Sequence, residues 1–417
     1  MTDLLLRAEK PAHGGAVIAR EETGRVVFVH YALPGELVRT QPMGRRGGAV
    51  FARASEVVEP APERVEPACA HFGSCGGCQW QHTTYANQLE LLRQVVAEVW
   101  QRAGLRLPPD TPVRGMEDPW RYRVRGEFEA TAGEEGLELG FHRLRSHQVL
   151  PIRSCPIHDQ RIERGINAFR TAAVEQGVRG LVNLHLTVEP TGGGLLWRTR
   201  YQRRGQGEQD AALAGRVSEL LPDLVLLDDS MSFDFWDLSF RVRSDTFIQT
   251  NYRQMLVLYQ TVLDLLEPGG EEAILDLYAG IGTISLAIAR HARSVTAIEE
   301  NPSSVQLGLL AARINRRGNA RFLPGKVEEA LRQVRLGDHS AAVLDPPRAG
   351  CEPAAIAELL RLSPDRIVYV SCEPSTHARD IALLVQGGYR VRRAVLVDMF
   401  PHTYHIESVA LLVRPGA

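Results

Sequence analysis

From about residue 246 onward, apolar strand-like runs alternate with helix-like runs: "EEAILDLYAG" then "GTISLAIARHA", "SVTAIEE" then "PSSVQLGLLAARIN", "ARFLPG" then "VEEALRQV", "AAVLDPP" then "PAAIAELLRL", "RIVYVSC" then "STHARDIALLVQGG". Nothing else in the chain restricts its fold as much. Parallel strands need crossover connections, and the helices in those crossovers cover both faces of the sheet. Two further apolar runs, "RVRRAVLVD" and "HIESVALLVR", close the chain with no helix between them. That predicts one antiparallel edge strand on a seven-stranded, Rossmann-like α/β sheet.

The remaining chain is of another kind. Its first sixty residues read as short strands between glycines, "AVIAR", "RVVFVHYAL", "ELVRT" and "GAVFARASEVV", which predicts a small OB-like β-barrel. "EPAPERVEP" (59–67) is too proline-rich for helix or central strand and marks a linker. Between them lies a stretch with one helical run, "YANQLELLRQVVAEVWQRAG", and several alternating ones, read as α+β. The expected division is therefore 1–60 barrel, 61–245 central α+β domain, 246–417 α/β domain.

No run approaches the ~18 apolar residues a membrane span needs, and "MTDLLLRAEK" lacks a signal-peptide layout. A cytoplasmic monomer is expected, with thiols kept reduced. A formal net charge of −2 argues against a nucleic-acid partner. Distribution argues the other way. Of 48 basic residues only Lys10 and Lys326 are lysine, and "RTRYQRRGQG" (198–207) and "RINRRGNAR" (313–321) carry arginines without any acid. Arginine suits a planar two-pronged phosphate contact, although a solvated face explains either patch alone equally well.

In open α/β sheets ligands sit beyond the carboxyl ends of the strands. At those ends stand Gly280 and Gly282 in "DLYAGIGT", Glu299 in "AIEEN", Asp345 in "LDPPR" and Cys372 in "YVSCEPST". The glycines let backbone approach a ligand, and Glu299 is placed to accept from ribose hydroxyls. The third glycine of the dinucleotide fingerprint is missing, which disfavours a nicotinamide enzyme. A short glycine turn followed by an acid after the second strand is the usual layout for S-adenosylmethionine. Arg348 stands where amino-methylating enzymes carry an aromatic residue. Cys372 closes a strand and precedes a helix, whose N-terminus lowers a thiol pKa, while a small core residue is the plain alternative.

A thiol there has a chemical use. Carbon 5 of uracil is too weak a nucleophile to take a methyl group until a thiolate adds at carbon 6. A base must then remove the carbon-5 proton. Glu407 in "HTYHIESVALL" is a lone acid entering an apolar run, where burial raises its pKa as a general base needs.

Taken together, "FIQTN", "DLYAGIGT", "DPPRAGC", "YVSCEPSTHARD", "DMFPHTYHIES" and the cluster "CAHFGSCGGCQWQH" resemble the iron–sulfur RNA uracil-5-methyltransferases with an N-terminal TRAM barrel. The resemblance implies Cys372 as nucleophile and Glu407 as base, with Gln249, Tyr278, Thr283, Glu299 and Asp345 contacting S-adenosylmethionine. It implies Cys69, Cys75, Cys78 and Cys155 around a [4Fe–4S] cluster, although four thiolates also bind zinc well. His82 and Cys351 are expected to be structural. Two positions depart from the family pattern. Lys326 stands where an acid is common, leaving Glu328 as a substitute, and Glu373 stands beside the thiol, where a carboxylate raises its pKa. The implied function is methylation of carbon 5 of a flipped-out uridine, most often in 23S rRNA. Alternatives are a transfer-RNA T-loop enzyme and a non-catalytic RNA chaperone or ribosome-assembly factor.

Overall fold

The computed structural model describes residues 4–134, 136–203 and 207–416; Arg204, in the first arginine patch, lies outside them. Alternating side chains close the first five strands on themselves. β1 (Leu4–Pro11), β2 (Ala16–Arg20), β3 (Val26–His30), β4 (Leu37–Arg46) and β5 (Ala49–Glu59) form a closed barrel in the order β1-β2-β3-β5-β4. Small residues suit its narrow lumen: Ala8, Val17, Ala19, Val27, Val29, Val38 and Ala52 point inward. Closure leaves no free edge for stray pairing. Glu36, fully buried, accepts from the Leu33 and Ala61 amides and the Arg64 guanidinium, tying the proline-rich linker to the barrel wall. Burial alone would raise its pKa, but Arg64 and the two amides together hold it below the usual value.

The central region holds α1 (Tyr85–Arg102), β6 (Val113–Arg114), β7 (Arg125–Gly133), β8 (Gly136–His142), β9 (Val149–Pro151), α2 (Gln160–Glu175), β10 (Leu181–Val188), β11 (Gly194–Tyr201), α3 (Gly207–Leu220) and β12 (Val225–Leu227). Six of these strands make one sheet, β12-β11-β10-β7-β8-β9, with α2 and α3 packed on it around Phe128, Phe169 and Trp197. The outer residues go elsewhere. Leu91, Leu92, Val96 and Trp100 of α1 pack into the core of the C-terminal sheet. The hairpin β13 (Ser230–Phe235) and β14 (Leu238–Arg243) joins that sheet's other core. The chain segment 61–245 is thus shared among three cores.

The C-terminal unit runs α4 (Tyr252–Leu266), β15 (Ala273–Leu277), α5 (Thr283–Ala289), β16 (Ser294–Glu299), α6 (Pro302–Ile314), β17 (Ala320–Pro324), α7 (Val327–Leu331), β18 (Ala341–Leu344), α8 (Pro353–Leu362), β19 (Arg366–Ser371), α9 (Pro374–Gln386), β20 (Arg390–Val397) and β21 (Glu407–Val413). Its order is β17-β16-β15-β18-β19-β21-β20-β6. Two expectations need correction. The antiparallel strand, β21, lies between β19 and β20 rather than at the edge, and β6 adds an eighth strand parallel to β20. β21 is apolar on both faces, as an interior strand must be. No helix among the described residues is long and apolar enough to cross a membrane.

Candidate active site and cysteine cavity

Strand order reverses between β15 and β18, so their carboxyl ends splay apart into a crevice. Tyr278, Glu299, Asp345 and Cys372 follow or end β15, β16, β18 and β19 at this rim. Because β21 runs the opposite way, its first residue arrives at the same rim: Ser408 faces Ser371 and Glu407 faces Val397. Residues distant in sequence therefore meet at one end of one sheet.

The turn after β15 is bent by left-handed residues: Tyr278 (φ 63°), Gly280 (56°) and Gly282 (80°). A left-handed tyrosine is strained, the kind of backbone that concentrates at binding sites. The two glycines differ. A Cβ on Gly280 would meet nothing within 4 Å, so its backbone faces open space, whereas on Gly282 it would strike Phe322 at 2.4 Å. Only Gly280 is open to a ligand; Gly282 is required by packing and by its φ. Glu299 accepts from the Gly280 amide (2.9 Å) and the Asn301 amide (2.7 Å), which fixes its carboxylate. Thr283 shares a 2.9 Å hydrogen bond with the Tyr259 hydroxyl, and Gln249 is buried between β14 and α4. Lys326 is exposed, while half-buried Glu328 acts electrostatically on Tyr278.

Behind these lies an acid-rich pocket. Burial pushes Asp276 and Asp345 up to about 7. Glu407, 4% exposed, is pushed up to about 8 by burial and then by Asp345, against an opposing pull from Arg348. Cys372 runs against expectation. Burial first, then the charges of Glu407 and Asp345, push its thiol up to about 12, with Arg348 opposing. The helix terminus is outweighed by burial, to which the acids of the same pocket add. Glu373 ranks behind these groups in that shift. It caps α9 at Ser375 and pairs with His13, on the barrel's β1–β2 turn, at 3.2 Å. A barrel loop thus touches the residue next to the thiol.

The cysteine segment occupies a second site. Cys69, Cys75, Cys78 and Cys155 all line one cavity of about 680 Å³. Burial raises the Cys75 thiol, lifts Cys155 to about 11 and Cys78 to about 12, and the charges of neighbouring cysteines add to each of these three shifts. Cys69 is positioned by the Gln81 side chain and Cys155 by the Glu163 carboxylate, each through its backbone amide. The loop is clasped by the β8–β9 turn, where the Gly76 amide donates to His142 and the Leu144 amide to Ser74. His82 packs on Tyr31 and Phe72, outside the cavity lining. No group of three or more His, Cys, Asp or Glu side chains among the described residues is drawn tightly enough to hold a single metal ion.

The model of the tRNA (uracil-5-)-methyltransferase family matches residues 219–415. A 23S rRNA (uracil(1939)-C(5))-methyltransferase of Chromohalobacter salexigens is 35% identical over 98% of this chain and 89% of its own. An uncharacterised RNA methyltransferase of Halalkalibacterium halodurans is 33% identical over 97% and 95%. The chain belongs to the RNA uracil-5-methyltransferase family. A solved structure of the same architecture, the Pyrococcus abyssi tRNA (uracil-54, C5)-methyltransferase with S-adenosyl-L-homocysteine, superposes with a TM-score of 0.76 at 22% identity, covering 98% of this chain and 99% of that one.

Three further residues of this RNA uracil-5-methyltransferase stand out, none of them given a part in the site by its sequence motif alone. Asp276 is a lone acid inside the apolar run "AILDL", a visible signal, and it accepts a hydrogen bond from Ser285. Arg348, beside His405 (3.4 Å), is the cation that counteracts the raised pKa of both Cys372 and Glu407. Phe247, two residues before Gln249, is 75% exposed, an unusual state for a large aromatic side chain. A cleft of about 710 Å³ bounded by Leu263–Glu267 and Ala287–Arg290 lies at the opposite ends of α4 and α5, away from the strand ends.

Proposed function

We propose that this enzyme methylates carbon 5 of a uridine in 23S ribosomal RNA through a transient bond between Cys372 and carbon 6. The observation that carries this reading is the convergence of Cys372, Asp345 and Glu407 at one strand-end rim, with a buried acid whose proton affinity is raised to about 8. The ribosomal substrate rests on the 35% identical relative named for 23S rRNA; a transfer-RNA T loop is the alternative. The residues at the rim fit S-adenosylmethionine: the open face of Gly280, the fixed carboxylate of Glu299, buried Gln249, and an excess of acid matched to a cation. When bound, S-adenosylmethionine supplies an electrophilic methyl group and a positive sulfonium in this acidic pocket.

The protein's own part follows from chemistry. Cys372, as thiolate favoured by Arg348, adds to carbon 6 of a uridine flipped out of its stack. The electron pair displaced onto carbon 5 takes the methyl group, whose bond to the sulfonium breaks with its electrons going to that sulfur, so that neutral S-adenosylhomocysteine would be released. Glu407 then takes the carbon-5 proton, the C–S bond breaks with its electrons returning to sulfur, and 5-methyluridine leaves. A base of pKa near 8 is suited to that proton transfer at neutral pH. The working units of this reading are the barrel (1–60) as an RNA-holding TRAM domain, the central region (61–245) with a [4Fe–4S] cluster, and the catalytic domain (246–417), in a monomeric cytoplasmic enzyme. The cavity fits such a cluster on its donor set. Four thiols share one space as a set of soft donors, the ligand type that the irons of such a cluster take. The cluster would brace the fold there.

RNA with 5-fluorouridine at the target has no removable carbon-5 proton. The enzyme should stall as a methylated, crosslinked adduct, and Cys372→Ala should form none. A crosslink that survives this substitution sinks the covalent reading.

A further inference from the structure

Where the barrel meets the β8–β9 turn, side chains stack in an order no other part of the fold requires. β3 and β5 pair with Phe28 opposite Phe51 and His30 opposite Arg53. Val27, Val29, Val50 and Ala52 fill the lumen, so Phe28, His30 and Phe51 stand on the outer wall. The rings of Phe28 and Phe51 stack at 5.3 Å and 21°, and His30 adds a third at 6.3 Å and 22° from Phe51. Arg145, at the tip of the β8–β9 turn in a left-handed conformation (φ 54°), lays its guanidinium 4.4 Å over the Phe51 ring. One of its nitrogens lies 3.2 Å from His30 Nε2. Burial and then the Arg145 charge lower His30 to about 4, so the imidazole is neutral and accepts that bond.

Charge selects the partner. Elsewhere on the barrel arginines are matched by acids: Arg7 with Glu59, Arg20 with Glu9, Arg39 with Glu56. Among the described residues Arg45, Arg46, Arg53, Arg143 and Arg145 pair with no carboxylate. Arg45 and Arg46 lie across from Val50 and Ala49, next to Phe51 in the β4–β5 register. Unmatched guanidinium groups around half-buried rings, capped by the exposed Arg145, complement a polymer that carries both anionic phosphates and planar bases.

We infer that the Phe28–Phe51–Arg145 stack is a nucleobase-stacking subsite for an unpaired RNA nucleotide, separate from the catalytic pocket. This rests on the RNA reading above and deepens it. A base stacks on the outer face of the Arg145 guanidinium, with Phe51 supporting it from below and neighbouring arginines taking the phosphates. The turn is held by the cysteine loop through the Gly76 and Leu144 amides, so the subsite is aligned by the same segment that carries three of the cavity thiols.

The test uses the full-length enzyme and an in vitro transcribed, unmodified 23S rRNA. Dissociation constants are measured across salt concentrations, with methyl transfer at saturating RNA and melting temperature measured in parallel. Phe51→Leu keeps an apolar side chain but loses the ring. It should weaken binding about fivefold or more with an unchanged salt slope, while Phe51→Tyr binds as the unsubstituted enzyme does. Turnover at saturating RNA should not change in either. Arg145→Ala should weaken binding by a similar factor. Unchanged affinity in both Phe51→Leu and Arg145→Ala overturns the inference. So does a loss confined to Arg145→Ala with a salt slope reduced by about one, because that is a phosphate contact without stacking. Absence of methyl transfer by the unsubstituted enzyme counts against the ribosomal substrate, and it is read separately from binding.

Discussion

Two buried sites in this enzyme raise thiol pKa values, and they do so with different neighbours. In the catalytic pocket one thiol stands among carboxylates, with Arg348 alone among the charged groups pulling the other way. In the cysteine cavity four thiols stand together and repel one another. Burial sets the direction in both, so a raised thiol by itself identifies neither a nucleophile nor a ligand. The company decides. One thiol with a proton acceptor, a cation and an open backbone face can react and be regenerated. Four thiols that line one cavity together are instead a set of soft donors for a shared metal centre.

The largest expected effects separate the two sites. Cys372→Ala should lower turnover on the order of 10⁴-fold or more while leaving melting temperature and any iron–sulfur absorbance intact. Cys78→Ser should do the reverse at first: absorbance is lost and the melting temperature falls by roughly 5 °C, with activity falling as RNA contacts loosen. If Cys372→Ala bleaches the protein and Cys78→Ser does not, the assignments must be exchanged. Glu407→Gln should cost about 10²- to 10⁴-fold in turnover and leave methylated adduct bound to Cys372, visible as an added nucleotide mass. A variant that accumulates no adduct and still turns over removes Glu407 as the base.

Much of this contrast was legible before any coordinates, and for a physical reason. A parallel sheet collects the carboxyl ends of its strands, so Glu299, Asp345 and Cys372 could be grouped from strand–helix alternation alone. What strand neighbours what is not written in local pattern. β21 reads as an apolar run wherever it inserts, and β6 is two residues long, too short to show a period. The thiol's pKa was misjudged for the same reason. The helix terminus is local and visible, whereas Glu407 and Asp345 approach only through tertiary structure. Tyr31 likewise meets His82 only through tertiary structure, from the barrel.

The pH dependence of stability sharpens the comparison further. Asp276, Asp345 and Glu407 are carboxyls whose folded pKa values, about 7, 7 and 8, lie above those of the unfolded chain near 4. Between those limits the folded state holds protons that the unfolded state releases. For these three groups, raising pH from about 4 to 8 therefore favours unfolding, while buried His30, His82, His377, His402 and His405, lowered to about 4 or 3, act the other way below pH 7. The acids are isolated by comparison: on going from pH 5.5 to pH 8 the melting temperature of Asp345→Asn should rise relative to that of the unsubstituted enzyme. An equal change in both would mean that Asp345 ionises without cost, and the pocket would lose the trait that distinguishes it.

The smallest expected effect concerns the contact that joins the barrel to the catalytic rim. His13 and Glu373 pair at 3.2 Å with both side chains partly exposed, so screening limits the pair's contribution to about 1 kcal/mol or less. His13→Ala should hardly move the melting temperature. Burial and the charges of Glu407, Arg348 and Asp345 dominate the shift of the neighbouring thiol, so the pH profile of adduct formation should also stay in place. The effect belongs instead in KM for RNA, raised a few-fold as the barrel loses one tether to the rim. A displaced pH profile in His13→Ala would show that the barrel reaches into the thiol's electrostatics, and the two halves of the enzyme would then be coupled by charge rather than by position.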